Sequence, residues 1–155
     1  MKHYYFAYGM NTNLDSMAQR CPGATCLGAG QLEGYKFAFR LHADVELTSP
    51  ADHVDGVVWI LADDDLDSLD TFEGFPHYYL RCKAWVHSDE IGWVKAWIYT
   101  MADQDYLSEP REEYVSMCRE GYLQNRVSTK QIDEALTQVR SFNEDVDYRL
   151  SLIHI

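Results

Sequence analysis

Two short segments of the chain carry residue types and spacings that could do chemistry. The first, Tyr8-Gly9-Met10-Asn11, ends an apolar and aromatic run that begins at His3. Glycine lets backbone approach a ligand closely, and successive N–H groups in such a turn form an anion-binding nest. The same residues also suit an ordinary strand-to-helix turn with Asn11 or Asn13 as its cap. The second segment is Phe72-Glu73-Gly74-Phe75, a carboxylate set among aromatic rings, after a helical pattern and before a strand. Burial would raise the pKa of such an acid towards the range where it can accept and return a proton. A solvated loop carboxylate, or one paired with Arg81 or Lys83, is the other reading of Glu73.

Metal chemistry has little support. The histidines, His3, His42, His53, His77, His87 and His154, show no paired spacing. Cys21 and Cys26 flank Pro22-Gly23 with no histidine near enough to complete a zinc pattern. The four cysteines, which include Cys82 and Cys118, read as reduced thiols packed as small apolar groups.

These segments have to be positioned by recognisable elements. His3 to Tyr8 reads as a buried strand, and Thr12 or Asn13 as the cap of a short helix with Leu14, Met17 and Ala18 on one face. Tyr35, Phe37, Phe39 and Leu41 alternate as a half-buried strand. Val57 to Leu61 is continuously apolar, as in a strand covered on both sides. Tyr78 to Val86 and Trp93 to Tyr99 read as a hairpin across Ser88 to Gly92. Asp63-Asp64-Asp65 suits a helix N-terminus, with Leu66 and Leu69 as the apolar side. Pro110 fits a first helical turn that leads to Tyr114, Cys118 and Tyr122 along one face. Ser128 and Gln131 form a capping-box pattern for a helix burying Ile132, Ala135, Leu136 and Val139. From Glu144 the chain is polar, then apolar at Leu150, Leu152, Ile153 and Ile155, which suggests a tail (144–155) docking on the body. Strands early and helices late predict an α+β fold with a closed or strongly curved sheet.

Composition narrows the function classes. With 155 residues, 46% of them apolar, the chain can bury the core of one domain (1–155) and is not disordered. Thirteen Lys and Arg against 25 Asp and Glu leave a net charge of -12, which argues against nucleic acid as a partner. No apolar stretch approaches the roughly 20 residues of a membrane span, and the N-terminus is poor as a signal peptide. A soluble, cytoplasmic, acidic protein is the expectation.

Taken together, the motifs resemble the gamma-glutamylcyclotransferase family. Tyr-Phe-Ala-Tyr-Gly-x-Asn follows the first strand, and Leu69-Asp70-x-x-Glu73-Gly74 lies some sixty residues on. The likeness continues through Arg20-Cys21-Pro22-Gly23-Ala24, Leu32 to Phe39, Gly56-Val57-Val58-Trp59, and Ser108-Glu109-Pro110 followed by Tyr114 and Gly121. The resemblance implies a small mixed β-barrel flanked by helices. It also implies an enzyme that releases 5-oxoproline from a small-molecule gamma-glutamyl substrate without metal or organic cofactor. By the same resemblance Glu73 is the catalytic glutamate and Tyr8, Gly9, Met10 and Asn11 cradle substrate, with Tyr79 and Tyr114 lining the pocket. Two positions depart from the family: Met10 replaces the usual serine, and Trp97 stands where another pocket tyrosine is expected. The Pro76 to Arg81 stretch also resembles the branch acting on gamma-glutamylamines.

The residue types suit that reaction. A gamma-glutamyl compound carries its own nucleophile, the α-amine, so the protein needs only to fold the substrate, move protons and supply donors to oxyanions. Because the chain is acidic, recognition is expected to be local, through fixed dipoles, with Arg81 or Arg40 as possible added charge. An isopeptide, polyamine or carrier-bound gamma-glutamyl group is an alternative substrate. A catalytically silent small-ligand module and an acidic interaction protein are readings from other classes.

Overall fold

A computed structural model describes residues 1–153. Five strands close a barrel in the order β1-β5-β2-β6-β7: β1 Lys2–Ala7, β2 Thr25–Glu33, β5 His53–Ala62, β6 Tyr79–Ser88 and β7 Gly92–Met101. Its antiparallel pairs are closed by one parallel contact between the first and last strands, at Tyr5 and Trp97. Strands β3 (Tyr35–Arg40) and β4 (His42–Leu47) form a separate hairpin. Among the described residues four α-helices complete the α+β fold: α1 Leu14–Arg20, α2 Asp63–Glu73, α3 Glu112–Gln124 and α4 Lys130–Ile153.

The central position of β5 follows from its apolar run, since Val57, Val58, Trp59 and Leu61 are all buried between β1 and β2. Alternation sorts the β6–β7 hairpin into two faces. Val86, Val94, Ala96 and Ile98 are buried on one, while Arg81, Lys83, Trp85, Trp93 and Lys95 share the other.

Local chemistry sets the helix ends. Asn13 caps α1 by accepting from the N–H groups of Asp15 and Ser16. Of the apolar face expected there, only Met17 is fully buried; Leu14 and Ala18 are exposed, and Ser16 turns inward instead. At α2, Asp65 accepts from the Ala62 N–H at 3.0 Å, and Leu66 and Leu69 face the core. Pro110 lies just ahead of α3 rather than inside its first turn.

Two expectations for α4 change. Ser128 accepts from the Lys130 N–H, but Gln131 does not complete a capping box. Its amide reaches across to the Asp55 backbone, accepting at 2.8 Å and donating at 2.7 Å, and donates to the Tyr122 hydroxyl. Nor do residues 144–153 form a docked tail. They continue α4 as one helix with Leu150, Leu152 and Ile153 exposed; Ile155 lies outside the described residues. Among the described residues no helix is long and apolar enough to cross a membrane.

Candidate functional site

A cavity of about 280 Å³ opens where the end of β1, the end of α2, the β3–β4 hairpin, the start of β6 and the first turn of α3 converge. Glu73, the last residue of α2, forms part of its wall. It is there because α2 ends on Gly74, whose left-handed conformation (φ 68°) turns the chain away and leaves the carboxylate facing the hollow.

Glu73 is half-buried in the cavity wall, and burial pushes its pKa from the ordinary carboxylate range up to about 7. Its place at a helix C-terminus, where carbonyl dipoles concentrate, acts in the same direction. The opposing influence is Arg20. Neither Arg81 nor Lys83 pairs with Glu73: Arg81 bonds Asp70 at 2.9 Å, and Lys83 lies over the Trp97 ring. Arg40 is also elsewhere, buried against Asp44 and Glu46.

A side-chain chain fixes the carboxylate. Arg20, at the end of α1, donates to Asn11 Oδ1 at 3.0 Å, which leaves the Asn11 amide NH₂ pointing the other way. That NH₂ donates to Glu73 Oε1 at 3.2 Å and to Tyr5 Oη at 3.1 Å. Arg20 is held in turn by the Phe72 ring, 3.6 Å from its guanidinium carbon, and by Met10 Sδ. The Asn11 carbonyl accepts from Trp59 Nε1, so the 3₁₀ turn Met10–Thr12 is anchored to β5.

Gly9, Met10 and Asn11 all line the cavity. Gly9 is required by close approach rather than by backbone angle. A Cβ there would sit 2.9 Å from Tyr114 Oη and 3.0 Å from Ala43 Cβ. Tyr8, Tyr79 and Tyr114 are also in the wall, but their hydroxyls make structural bonds. Tyr8 donates to the Tyr99 carbonyl and Tyr79 to the Ala43 carbonyl, while Tyr114 accepts from the Ala43 N–H. The backbone of Ala43 is thereby clamped from both sides, which locks the β3–β4 hairpin over the cavity. Burial raises the pKa of all three phenols, so they stay neutral.

Trp97 does not line the cavity. Its ring lies beneath Arg81, 4.4 Å away, further along the outer face of β7. The residue of β7 in the wall is Tyr99, whose hydroxyl donates to Asp70 at 2.6 Å. Sequence reasoning missed Tyr99, Tyr5, His42 and the anchoring role of Arg20. Hydroxyl-bearing rings inside apolar strands, and the single cation of α1, were the available signals. His42 accompanies Tyr78 at the rim, 2.8 Å from its hydroxyl; burial, then Arg111, lowers its pKa and leaves the imidazole neutral.

The arrangement can hold a small molecule against a poised carboxylic acid, walled by neutral aromatic rings and a glycine turn. Comparison with known proteins agrees with this architecture. No curated protein matches the chain. A solved structure described as a gamma-glutamyl cyclotransferase superposes with a TM-score of 0.77 at 23% identity, covering 87% of this chain and 86% of that one. An uncharacterized human protein, loc79017, gives 0.76 at 24% identity over 86% of each chain. YkqA from Bacillus subtilis gives 0.74 at 18% identity, covering 90% of this chain and 55% of its own. The family model described as gamma-glutamyl cyclotransferase, AIG2-like, matches residues 5–118, and the chain belongs to that family.

Proposed function

We propose that the protein releases 5-oxoproline from a gamma-glutamyl compound, with Glu73 as the single proton carrier. The observation that carries this reading is the Glu73 carboxylate itself. It is aimed into the cavity, held by Asn11, and has a pKa pushed up to about 7. A general acid/base is most effective when its pKa lies near the working pH.

The substrate's α-ammonium gives a proton to the Glu73 carboxylate. The freed amine attacks its own γ-carbonyl carbon, and a tetrahedral oxyanion forms. Protonated Glu73 then returns the proton to the departing amine nitrogen as its bond to the γ-carbon breaks. The carboxylate next takes the second proton from the ring nitrogen and passes it to the released amine, leaving the neutral five-membered lactam, an ammonium product and ionised Glu73. Holding amine and carbonyl carbon about 3 Å apart removes much of the entropic barrier, and the aromatic walls serve that end. Backbone N–H groups of the Gly9–Asn11 turn serve as donors to the oxyanion or to the substrate's carboxylate. Tyr5, neutral because burial raises its pKa far above the ordinary phenol value, adds a hydroxyl on the same side as Asn11.

The test is 5-oxoproline release from gamma-glutamyl amino acids, glutathione and gamma-glutamyl-lysine, with Glu73→Gln alongside. Loss of turnover by about 10²- to 10⁴-fold with folding retained supports the reading. Unchanged turnover in that variant removes Glu73 from the chemistry. No release from any of these substrates by the wild type removes the reaction.

A further inference from the structure

Two surfaces outside the cavity lining are exposed among the described residues, and they are complementary. The first is the outer face of the β6–β7 hairpin. Three of the four tryptophans of the chain lie on it, with Lys83 opposite Trp97, Trp85 opposite Lys95 and His87 opposite Trp93. Trp85 and Trp93 are each 57% exposed, and Lys95 lies over Trp85. Large aromatic rings beside cations, on a chain whose net charge is -12, mark a surface shaped for contact rather than for solvent.

The second is the far end of α4. Val139, Phe142, Val146, Leu150 and Ile153 recur at helical spacing, and the stripe loses its cover as the helix leaves the body. Val139 is fully buried, Val146 is 37% exposed, Leu150 50% and Ile153 75%. Acidic residues Glu144, Asp145 and Asp147 flank it, with Arg149 pairing Asp145.

We propose that the end of α4 docks on the β6–β7 face of a second copy of this chain, and that the contact is made twice in a symmetric dimer. Charge decides the occupant. The hairpin face is basic and aromatic, the helix end is acidic and apolar, and each copy carries both. A twofold pair therefore satisfies both surfaces at once and doubles the contact area. Nucleic acid and anionic bilayers would meet the rest of a strongly acidic surface.

Light scattering behind size exclusion, with sedimentation velocity across about a hundredfold dilution, tests the proposal. The expected mass is twice the 18.0 kDa of the chain, falling to the monomer on dilution. Trp85→Ser and Leu150→Asp, on different elements, should each weaken the dimer by about tenfold or more. Lys83→Glu with Lys95→Glu should weaken it as well, and Asp145→Lys with Asp147→Lys should restore it. Circular dichroism confirms that each variant is folded. A wild-type monomer throughout overturns the proposal. So does a dimer indifferent to Trp85→Ser or Leu150→Asp, or charge reversal without rescue. Binding of a monomeric chain to phosphatidylserine vesicles through Trp85 would assign the face to membrane instead and also overturn it.

Discussion

At the scale of single residues, the site is a balance between two influences on Glu73. Burial raises its pKa and Arg20 lowers it, with Asn11 joining the two side chains. On the proposed mechanism, which needs Glu73 ionised in the free enzyme, the acid limb of kcat/KM should fall with an apparent pKa near 7. Removing the guanidinium leaves burial unopposed. Arg20→Met should move that limb to higher pH and lower kcat, since the Asn11 amide loses the bond that orients it. A pH–rate profile of the variant checks this, and a limb that stays put or moves down contradicts it.

The same shift has a consequence for folding. Below the ordinary carboxylate range Glu73 is protonated in the folded and unfolded chain alike. As pH rises from there to about 7 the unfolded chain ionises first, so the group costs stability progressively, and above about 7 the cost is complete. Glu73→Gln keeps the oxygen that accepts from Asn11 and removes the charge. It should be more stable than wild type at about pH 8, by about 1–3 kcal/mol, with no gain at about pH 4. Denaturant melts at both values measure it. Equal stability at about pH 8 would mean that the carboxylate is solvated.

Elements explain what was legible in the sequence and what was not. The apolar run of β5 and the alternation of β6 and β7 announce themselves because each strand buries a regular set of side chains. Strand β2 does not, because its wall positions are small. A Cβ on Gly30 would sit 2.8 Å from Val58 Cγ2 and 2.9 Å from the His87 carbonyl oxygen, so the barrel demands glycine where a strand signal needs a branched residue. Strand β4 is hidden by Asp44, a fully buried acid held by Arg40, Gln104 and the Met101 N–H. Trp97, expected at the pocket, lies outside it because outer-face residues of β7 run past the cavity. Tyr99, two positions on, reaches it instead. Arg20 and Glu73 reach the two ends of one Asn11 amide because α1 and α2 pack together, which no local pattern reports.

At this same scale the glycine turn can be tested. Gly9→Ala must push Tyr114 or the β3–β4 hairpin outward, since both stand within 3.0 Å of the added carbon. The loss should be about 1–3 kcal/mol in stability, accompanied by a raised KM as the Ala43 clamp loosens. Thermal melts and steady-state kinetics read the two effects. A variant with wild-type KM would show that the turn does not shape the substrate site.

The molecule as a whole carries a net charge of -12, and that charge acts on a substrate before any local contact does. A gamma-glutamyl amino acid is a net anion at neutral pH, so the protein's field opposes its approach, while gamma-glutamyl-lysine, with its additional ammonium, feels almost none. At about 0.01 M salt the screening length is roughly 30 Å, comparable to the molecule. At about 0.15 M it shrinks to roughly 8 Å, and only charges near the cavity still count. Raising salt across that range should therefore increase kcat/KM for an anionic substrate, by about twofold, and leave that for a lysine-bearing one nearly unchanged. The direction is the informative part. If salt lowers kcat/KM for the anion, a nearby cation is attracting it, and Arg20 would then act on substrate directly rather than through Asn11. Steady-state rates at fixed pH, with both substrates compared at each salt concentration, separate the two cases.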